Sequence, residues 1–512
     1  MYKLLLIFRY LRRKLAPLFA MLAVTLCTAM VIIVISVMGG FLDLMREAGK
    51  KLTGDVIVAA DVRGFPYYEQ LIESLKALPQ VKAATPLVRG YGLVNLVGQV
   101  YPVEAVGVKP RGMDAVTGFR DALHWDSRSM HQAAEKEFER YQIDPAKIHP
   151  ESLVDQTGLS LLYQLWRDSA ELDFKELGMT MRAPARWGGR AGIVPGIHVS
   201  PTSDRDSKGG YDPLNSIMSG LYPHGRDATL TILPVDESGM PTNPQTRALT
   251  VVNEFKSGLY EVDSQQVFVP FALLQKMLQM QAVPEVDYDT GEPTGRMLPA
   301  KAHEVMVRGV EGVALEVLRQ RVVETRDAWM AKHPDSVMTN VITWEQKHAT
   351  LLHAVENEKG LITFLFVFIS MVAVVMIATT FYMIVLEKTR DIGVLRAIGA
   401  SRLGVANIFI GYGLFLGVIG ALSGLVLGVV IVYNLNEIQE GLYQLTLWWT
   451  NGRWGWRMWN PQTYYFDSIP EHVDYHECIA IVFGAIVSSV LGAMVPAFLA
   501  GRLDPVEALR YE

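Results

Sequence analysis

GLITFLFVFISMVAVVMIATTFYMIVL, Gly360 to Leu386, runs 27 residues without an Asp, Glu, Lys or Arg. A helix needs roughly 20 apolar residues to cross a hydrocarbon core about 30 Å thick, so this stretch is long enough to span a bilayer. Outward from it lie three more uncharged apolar runs: Ala16 to Leu42, Gly404 to Tyr433 and Cys478 to Gly501. One run lies near the start, and three crowd the last third. The pattern predicts an α-helical membrane protein with four transmembrane helices in a 1 + 3 arrangement, at 16–42, 360–386, 404–433 and 478–501. A large polar segment, 43–355, sits between helices one and two, outside the bilayer.

Composition agrees. Half of the 512 residues are hydrophobic and the net charge is −6, so nothing marks a nucleic-acid binder. Cys27 and Cys478 both lie in or beside apolar runs, far apart in sequence, which argues against a disulfide or a cysteine metal site. The first run is about twice the usual ~7–15-residue apolar core of a signal peptide, so it reads as a retained anchor.

Charge sets the orientation. Lys3, Arg9, Arg12, Arg13 and Lys14 precede the first run with no acid among them. Between runs two and three, Lys388, Arg390, Arg396 and Arg402 outnumber Glu387 and Asp391. Residues 43–386 carry 34 basic against 42 acidic groups. By the positive-inside rule both termini and the 387–403 loop are cytoplasmic, and 43–355 and 434–475 lie outside. For a bacterial inner membrane, outside is the periplasm.

Residues 1–15 read as an amphipathic cytoplasmic helix and 502–512 as a cytoplasmic tail. The 43–355 segment mixes short β-rich runs (Asp55 to Ala60, Pro86 to Val108, Ala228 to Leu233, Ala248 to Phe255, Gln266 to Pro270, His303 to Gly309) with helical ones (Tyr67 to Leu78, Val313 to His333). It is therefore α+β, with a charged, helix-forming insert at 113–187 and a polar loop from Ser200 to Gly220. TWEQKHATLLHAVENEK, 343–359, leads straight into the second run. It continues that run as one rigid helix above the membrane or bends as an interfacial helix.

Enzymatic motifs are missing. A phosphate-cradling loop needs G-x-x-x-x-G-K-[ST]; at Gly49-Lys50 the partner positions are Leu44 and Lys51. His303-Glu304 and His476-Glu477 begin a zinc-hydrolase pattern but lack its second histidine. His472 and His476 stand four apart, a spacing that binds metal on a helix and more often marks solvated groups at a membrane boundary. No catalytic residue and no metal site is assigned. Gly413 and Gly417, with Ala421, form one small-residue row in the third run; Gly420, Gly424 and Gly428 form another. Such rows let helices approach closely in lipid, either within the bundle or, in a sharper reading, at a subunit interface. LWWTNGRWGWRMWN, Leu447 to Asn460, holds five of the ten tryptophans, a composition that anchors chains at the membrane–water boundary or contacts lipid.

The most specific stretch is EKTRDIGVLRAIGASR, Glu387 to Arg402. Ile392, Leu395 and Ile398 recur every three residues beside basic positions, the pattern of a short helix that docks into a groove on a soluble partner.

This stretch closely resembles the cytoplasmic coupling segment of FtsX-like ABC transporter permeases. GRLDPVEALRYE, Gly501 to Glu512, resembles that family's ending. FKSGLYEVDSQQVFVPFALLQ, Phe255 to Gln275, is similar to an external-domain motif of the lipoprotein-releasing (Lol-type) permeases, carried here by Gly258, Tyr260, Glu261, Asp263 and Ser264. YYFDSIPEHV, Tyr464 to Val473, resembles a segment before their last span, and RYLRRK agrees near the N-terminus. The 113–187 insert, the 200–220 loop and the enlarged tryptophan-rich loop depart from the pattern.

The resemblance implies a mechanotransmission-type (type VII, MacB-like) permease. It would bind no cofactor itself, with ATP-Mg on a cytosolic ABC ATPase subunit contacted by Glu387, Lys388, Thr389, Arg390, Asp391, Ile392, Leu395, Arg396 and Gly399. It further implies a second permease, identical or paralogous, membrane lipid around the spans, a lipoprotein cargo and a periplasmic acceptor. Two other roles stand beside lipoprotein release: MacB-like efflux of peptides or small toxic molecules, and FtsX-type regulation of cell-wall hydrolases.

Overall fold

The computed structural model describes residues 16–148, 158–199, 211, 225–235, 240–286, 293–334, 336–452, 454–457, 459 and 469–504. The amphipathic helix expected at 1–15, most of the 200–220 loop and the ending beyond 504 lie outside the described residues. The chain divides into two compact units: one holds the described residues of 1–44, 350–459 and 468–512, the other those of 45–349.

Among the described residues, four helices are long and apolar enough to cross a membrane: Ala16–Thr53, Ala349–Glu387, Arg402–Tyr433 and Tyr475–Arg502. The second is one continuous helix of 39 residues, about 58 Å at 1.5 Å per residue. Its length alone exceeds a hydrocarbon core by roughly 28 Å. The segment expected as a loop at 434–475 begins with a further helix, Leu435–Trp449. Leu435, Ile438, Leu442, Leu445 and Trp449 supply the helical period there. Asn436 holds the returning chain through two hydrogen bonds to the backbone of Ile469, at 3.0 and 3.2 Å.

The other unit is built on a nine-stranded sheet. Numbered along the chain, its strands are β1 (Val56–Ala59), β2 (Val81–Leu96), β3 (Gln99–Val108), β4 (Gly192–Pro195), β5 (Asp227–Ile232), β6 (Gln245–Val251), β7 (Gln266–Pro270), β8 (Glu304–Gly309) and β9 (Asn340–Thr343). The order is β9-β1-β8-β2-β3-β7-β4-β6-β5, and β5 pairs back onto β2 with Leu93 opposite Thr231. Six strands thus close into a ring around Val94, Val103, Leu230, Leu249 and Val267. Closure needs Gly92, because a Cβ there would lie 2.0 Å from the Thr231 carbonyl oxygen. Strands β8, β1 and β9 extend the sheet from the first half of β2.

Helices cover this sheet. Tyr68–Lys76 buries Tyr68, Leu71, Ile72 and Leu75 at helical spacing. The helical region after β3 builds a second small core from Trp125, Met130, Phe138, Leu161, Leu165 and Phe174. Asp126 and Asp173 cap its helices Ser127–Arg140 and Phe174–Thr180 by accepting from the amides of Ser129 and Glu176. Asn253 stitches this core to the end of β6, donating to the carbonyls of Trp125 (3.0 Å) and Phe174 (2.8 Å).

Candidate functional site

The connector between spans two and three folds as the helix Thr389–Ala397, preceded by Lys388, whose ammonium pairs with Asp391 at 2.9 Å. Gly399 ends it in the left-handed region, φ +103°. The Gly399 amide donates to the Arg396 carbonyl (3.1 Å) and the Ala400 amide to that of Leu395 (3.0 Å), a Schellman closure that glycine permits without strain. Ser401 then caps the third span by accepting from the Gly404 amide at 3.0 Å.

The apolar residues of this helix do not form a single face. Ile392 is buried against Val385, Val405 and Ala500. Leu395 and Arg396 are half-buried. Ile398 stands 81% exposed past the helix end, with Val394 at 44%. The outward surface is thus Arg390, Asp391, Val394 and Ile398. Sequence spacing missed Val394, because it treated the three-residue repeat as continuing through the turn.

The glycine rows face inward within their unit. A Cβ on Gly413 would meet that of Ala493 at 2.4 Å, and one on Gly417 would meet Ser489 at 2.8 Å, both on span four. Gly420, Gly424 and Gly428 abut Val24, Thr28 and Ile32 of span one. Ser489 hydroxyl donates to the Gly413 carbonyl at 2.9 Å, and Thr25 bonds Ser423 at 2.9 Å. The third span is thus the axis against which spans one and four close-pack.

The 258–264 motif is a turn held by its aspartate. Asp263 is fully buried and its carboxylate accepts from the amides of Ser257 (2.8 and 2.9 Å) and Gly258 (3.2 Å). Tyr260 is exposed, tilted against the His198 ring. Glu261 is exposed as well, and Ser264 ends the short helix.

One further constellation was not singled out from sequence. Leu87, Arg89 and Tyr91 of β2, Glu104 and Val106 of β3, Gln266 and Phe268 of β7 and Glu304 of β8 line one sheet face. With Thr53, Lys347 and His348 they wall a cavity of about 330 Å³. Arg89 pairs with Glu104 at 3.0 Å and Glu304 at 3.1 Å, and Lys347 pairs with Glu304 at 2.9 Å. Gln266 donates to the free side of Glu104 at 2.6 Å. Burial alone would raise the Glu304 carboxyl, but Arg89 and Lys347 outweigh it and hold its pKa at about 2. Burial pushes the Lys347 ammonium down, helped by Arg89 and opposed by Glu304.

His303 beside it has both nitrogens engaged: Nδ1 accepts from the Arg89 amide at 3.1 Å, and Nε2 donates to the Val62 carbonyl at 2.9 Å. That pair of bonds fits the neutral ring, and burial lowers its pKa. His472, in the other unit, lies 3.3 Å from Asp43 and precedes the last span's helix, which begins at Tyr475. It does not share a helical face with His476.

Comparison with known proteins adds two regions. The FtsX-like permease C-terminal family matches residues 363–505, and the MacB-like periplasmic core domain matches residues 18–139. Among curated proteins, the lipoprotein-releasing system transmembrane protein LolC of Xylella fastidiosa is 28% identical over 274 residues, 53% of this chain and 57% of that protein. LolE of Haemophilus influenzae is 26% identical over 190 residues, 36% of this chain and 44% of that protein. An uncharacterized ABC transporter permease of Methanocaldococcus jannaschii is 29% identical over 177 residues, 34% and 38% of the two chains. The chain therefore spans little more than half the length of the curated relatives it matches. The periplasmic region of MacB from Actinobacillus actinomycetemcomitans aligns at 8% identity with a TM-score of 0.26, over 59% of this chain and 93% of that one.

Proposed function

For a chain that joins an FtsX-like permease region to a MacB-like periplasmic core domain, we propose the role of membrane subunit in an ABC transporter that releases lipoproteins from a bacterial inner membrane. The supporting observation is the helix Thr389–Ala397, set between two spans and closed by the Gly399 turn, with Arg390, Asp391, Val394 and Ile398 exposed on its surface. A cytosolic ATPase subunit docks there and hydrolyses ATP-Mg; this chain is the lever and performs no hydrolysis. Both termini and the 387–403 loop are cytoplasmic, and the 45–349 unit is periplasmic. A second permease, identical or paralogous, completes the assembly, and a periplasmic acceptor receives the cargo.

The reading of the cargo draws support from LolC and LolE, which are named as lipoprotein-releasing proteins. It also has a physical rationale. Withdrawing acyl chains from lipid costs about 0.8 kcal/mol per CH₂, so a multiply acylated anchor needs an external energy source. A second reading, MacB-like efflux of peptides or small toxic molecules, draws on the match of residues 18–139 to the MacB-like core.

The test is reconstitution of the chain with its ATPase subunit in lipid, with an acylated lipoprotein and a soluble acceptor. ATP-dependent transfer of the lipoprotein supports the reading; ATP-dependent export of a small molecule with no lipoprotein transfer replaces it with the second. Ile398→Asp should abolish ATPase binding while leaving membrane insertion intact. Undiminished binding would remove the docking surface.

A further inference from the structure

We infer that the Lys347–Glu304–Arg89–Glu104 network fastens the segment entering the second span to the sheet, making Lys347 a positioning residue for the passage of motion into the domain. This rests on the lever reading above. The strand that follows span one, β1, and the strand that precedes span two, β9, are antiparallel neighbours, with Val56 opposite Thr343. Both are reached from the same end. Displacing one helix end from the other would therefore open the β1–β9 ladder bond by bond from that end, and each backbone bond contributes only about 1 kcal/mol net. Four residue pairs make a short ladder.

The side chains beyond it supply what the ladder lacks. The amide of Trp344 donates to the Asp55 carbonyl at 3.1 Å, and a capping box between Thr343 and Gln346 sets the turn. Trp344 is buried. Lys347 then reaches past β1 to Glu304 on β8, Arg89 carries the chain of charges to β2, and Glu104 carries it to β3. Three separate strands are thereby tied to the last residues before the helix Ala349–Glu387. The Lys347 and Glu304 side chains are only 23% and 11% exposed, so salt screens the tie weakly. Removing Lys347 leaves Glu304 still paired with Arg89, so the sheet keeps its internal ion pairs.

The experiment compares wild type, Lys347→Met and Lys347→Arg, full length, in lipid nanodiscs with the ATPase subunit bound. Amide hydrogen exchange over 340–350 should quicken at least tenfold in Lys347→Met and stay at the wild-type rate in Lys347→Arg. Equal rates in all three would overturn the fastening. Lipoprotein release per ATP hydrolysed should fall at least fivefold in Lys347→Met, with ATPase binding and turnover retained, and return in Lys347→Arg. Faster exchange with undiminished release per ATP would overturn the role in transmission. Absence of ATP-linked release from the wild type would strike the lever reading instead, and the exchange comparison would still decide whether Lys347 fastens.

Discussion

Replacing Glu304 by Gln removes the one carboxylate shared by both cations of the buried network. Its pKa falls from 4.5 in an open chain to about 2 in the fold. At about 1.4 kcal/mol per tenfold change in proton affinity, the ionised group carries roughly 3 kcal/mol of stability. That agrees with the ~3–5 kcal/mol expected when one partner of a buried ion pair is deleted. Glu304 is only 8% exposed, so little is lost to solvent screening. The pKa is depressed on folding, so the contribution is complete above about pH 4.5 and disappears as the pH falls through about 2. Pulse proteolysis in urea on the detergent-solubilised chain should show Glu304→Gln destabilising the 45–349 unit by roughly 3 kcal/mol at pH 7. The gap from wild type should close as the pH falls from 4.5 towards 2. A loss below about 1 kcal/mol at neutral pH, or a gap that persists in acid, would refute the assignment of this carboxylate as the hub of the network.

Three other outcomes can be checked with similar means. His303 is neutral in the fold and its pKa is lowered from 6.5, so the unfolded chain takes up its proton first; stability should decline as the pH drops below about 6.5, and His303→Gln should flatten that decline in the same proteolysis assay. Gly424→Leu would press a side chain onto the Thr25 carbonyl, where even a Cβ sits at 2.6 Å; it should destabilise the bundle by about 1–3 kcal/mol, while Gly484→Leu, with nothing within 4 Å, should melt like wild type. Deleting 113–187 would cut into the helix Pro110–Thr117 and strip Asn253 and Glu254, both fully buried, of hydrogen-bond partners at Trp125 and Phe174; limited proteolysis should show the remaining sheet destabilised rather than an independent module removed.

The membrane-spanning helices and several strands were legible because each is a local pattern. An uncharged run of 27 residues admits few structures, and Gln266–Pro270 reads as a strand from its own residues. The ring closure was not legible: β2 and β5 lie more than 130 residues apart, and the cue is a single glycine at position 92. The helix Leu435–Trp449 was hidden by its tryptophans, which drew attention to composition instead of to the spacing of Leu435, Ile438, Leu442 and Leu445. On the helix Thr389–Ala397, periodicity could not say where the period stops; Gly399 turns the chain, and Ile398 leaves the face that Ile392 occupies. The buried ion network did leave a trace. Glu104 is the one charged residue of the otherwise mostly apolar β3, and a buried lone charge in such a strand needs a partner across the sheet.

The adjacency of β1 and β9 has an architectural corollary. The 45–349 unit leaves and rejoins the rest of the polypeptide at neighbouring positions, as inserted domains with close termini do. Its two ends lie on adjacent strands, so a fold substituted between the two helices would need ends that meet at the same spacing. The glycine-lined contacts among spans one, three and four involve no residue of that sheet, so the packing of the helices and the packing of the sheet draw on separate sets of residues.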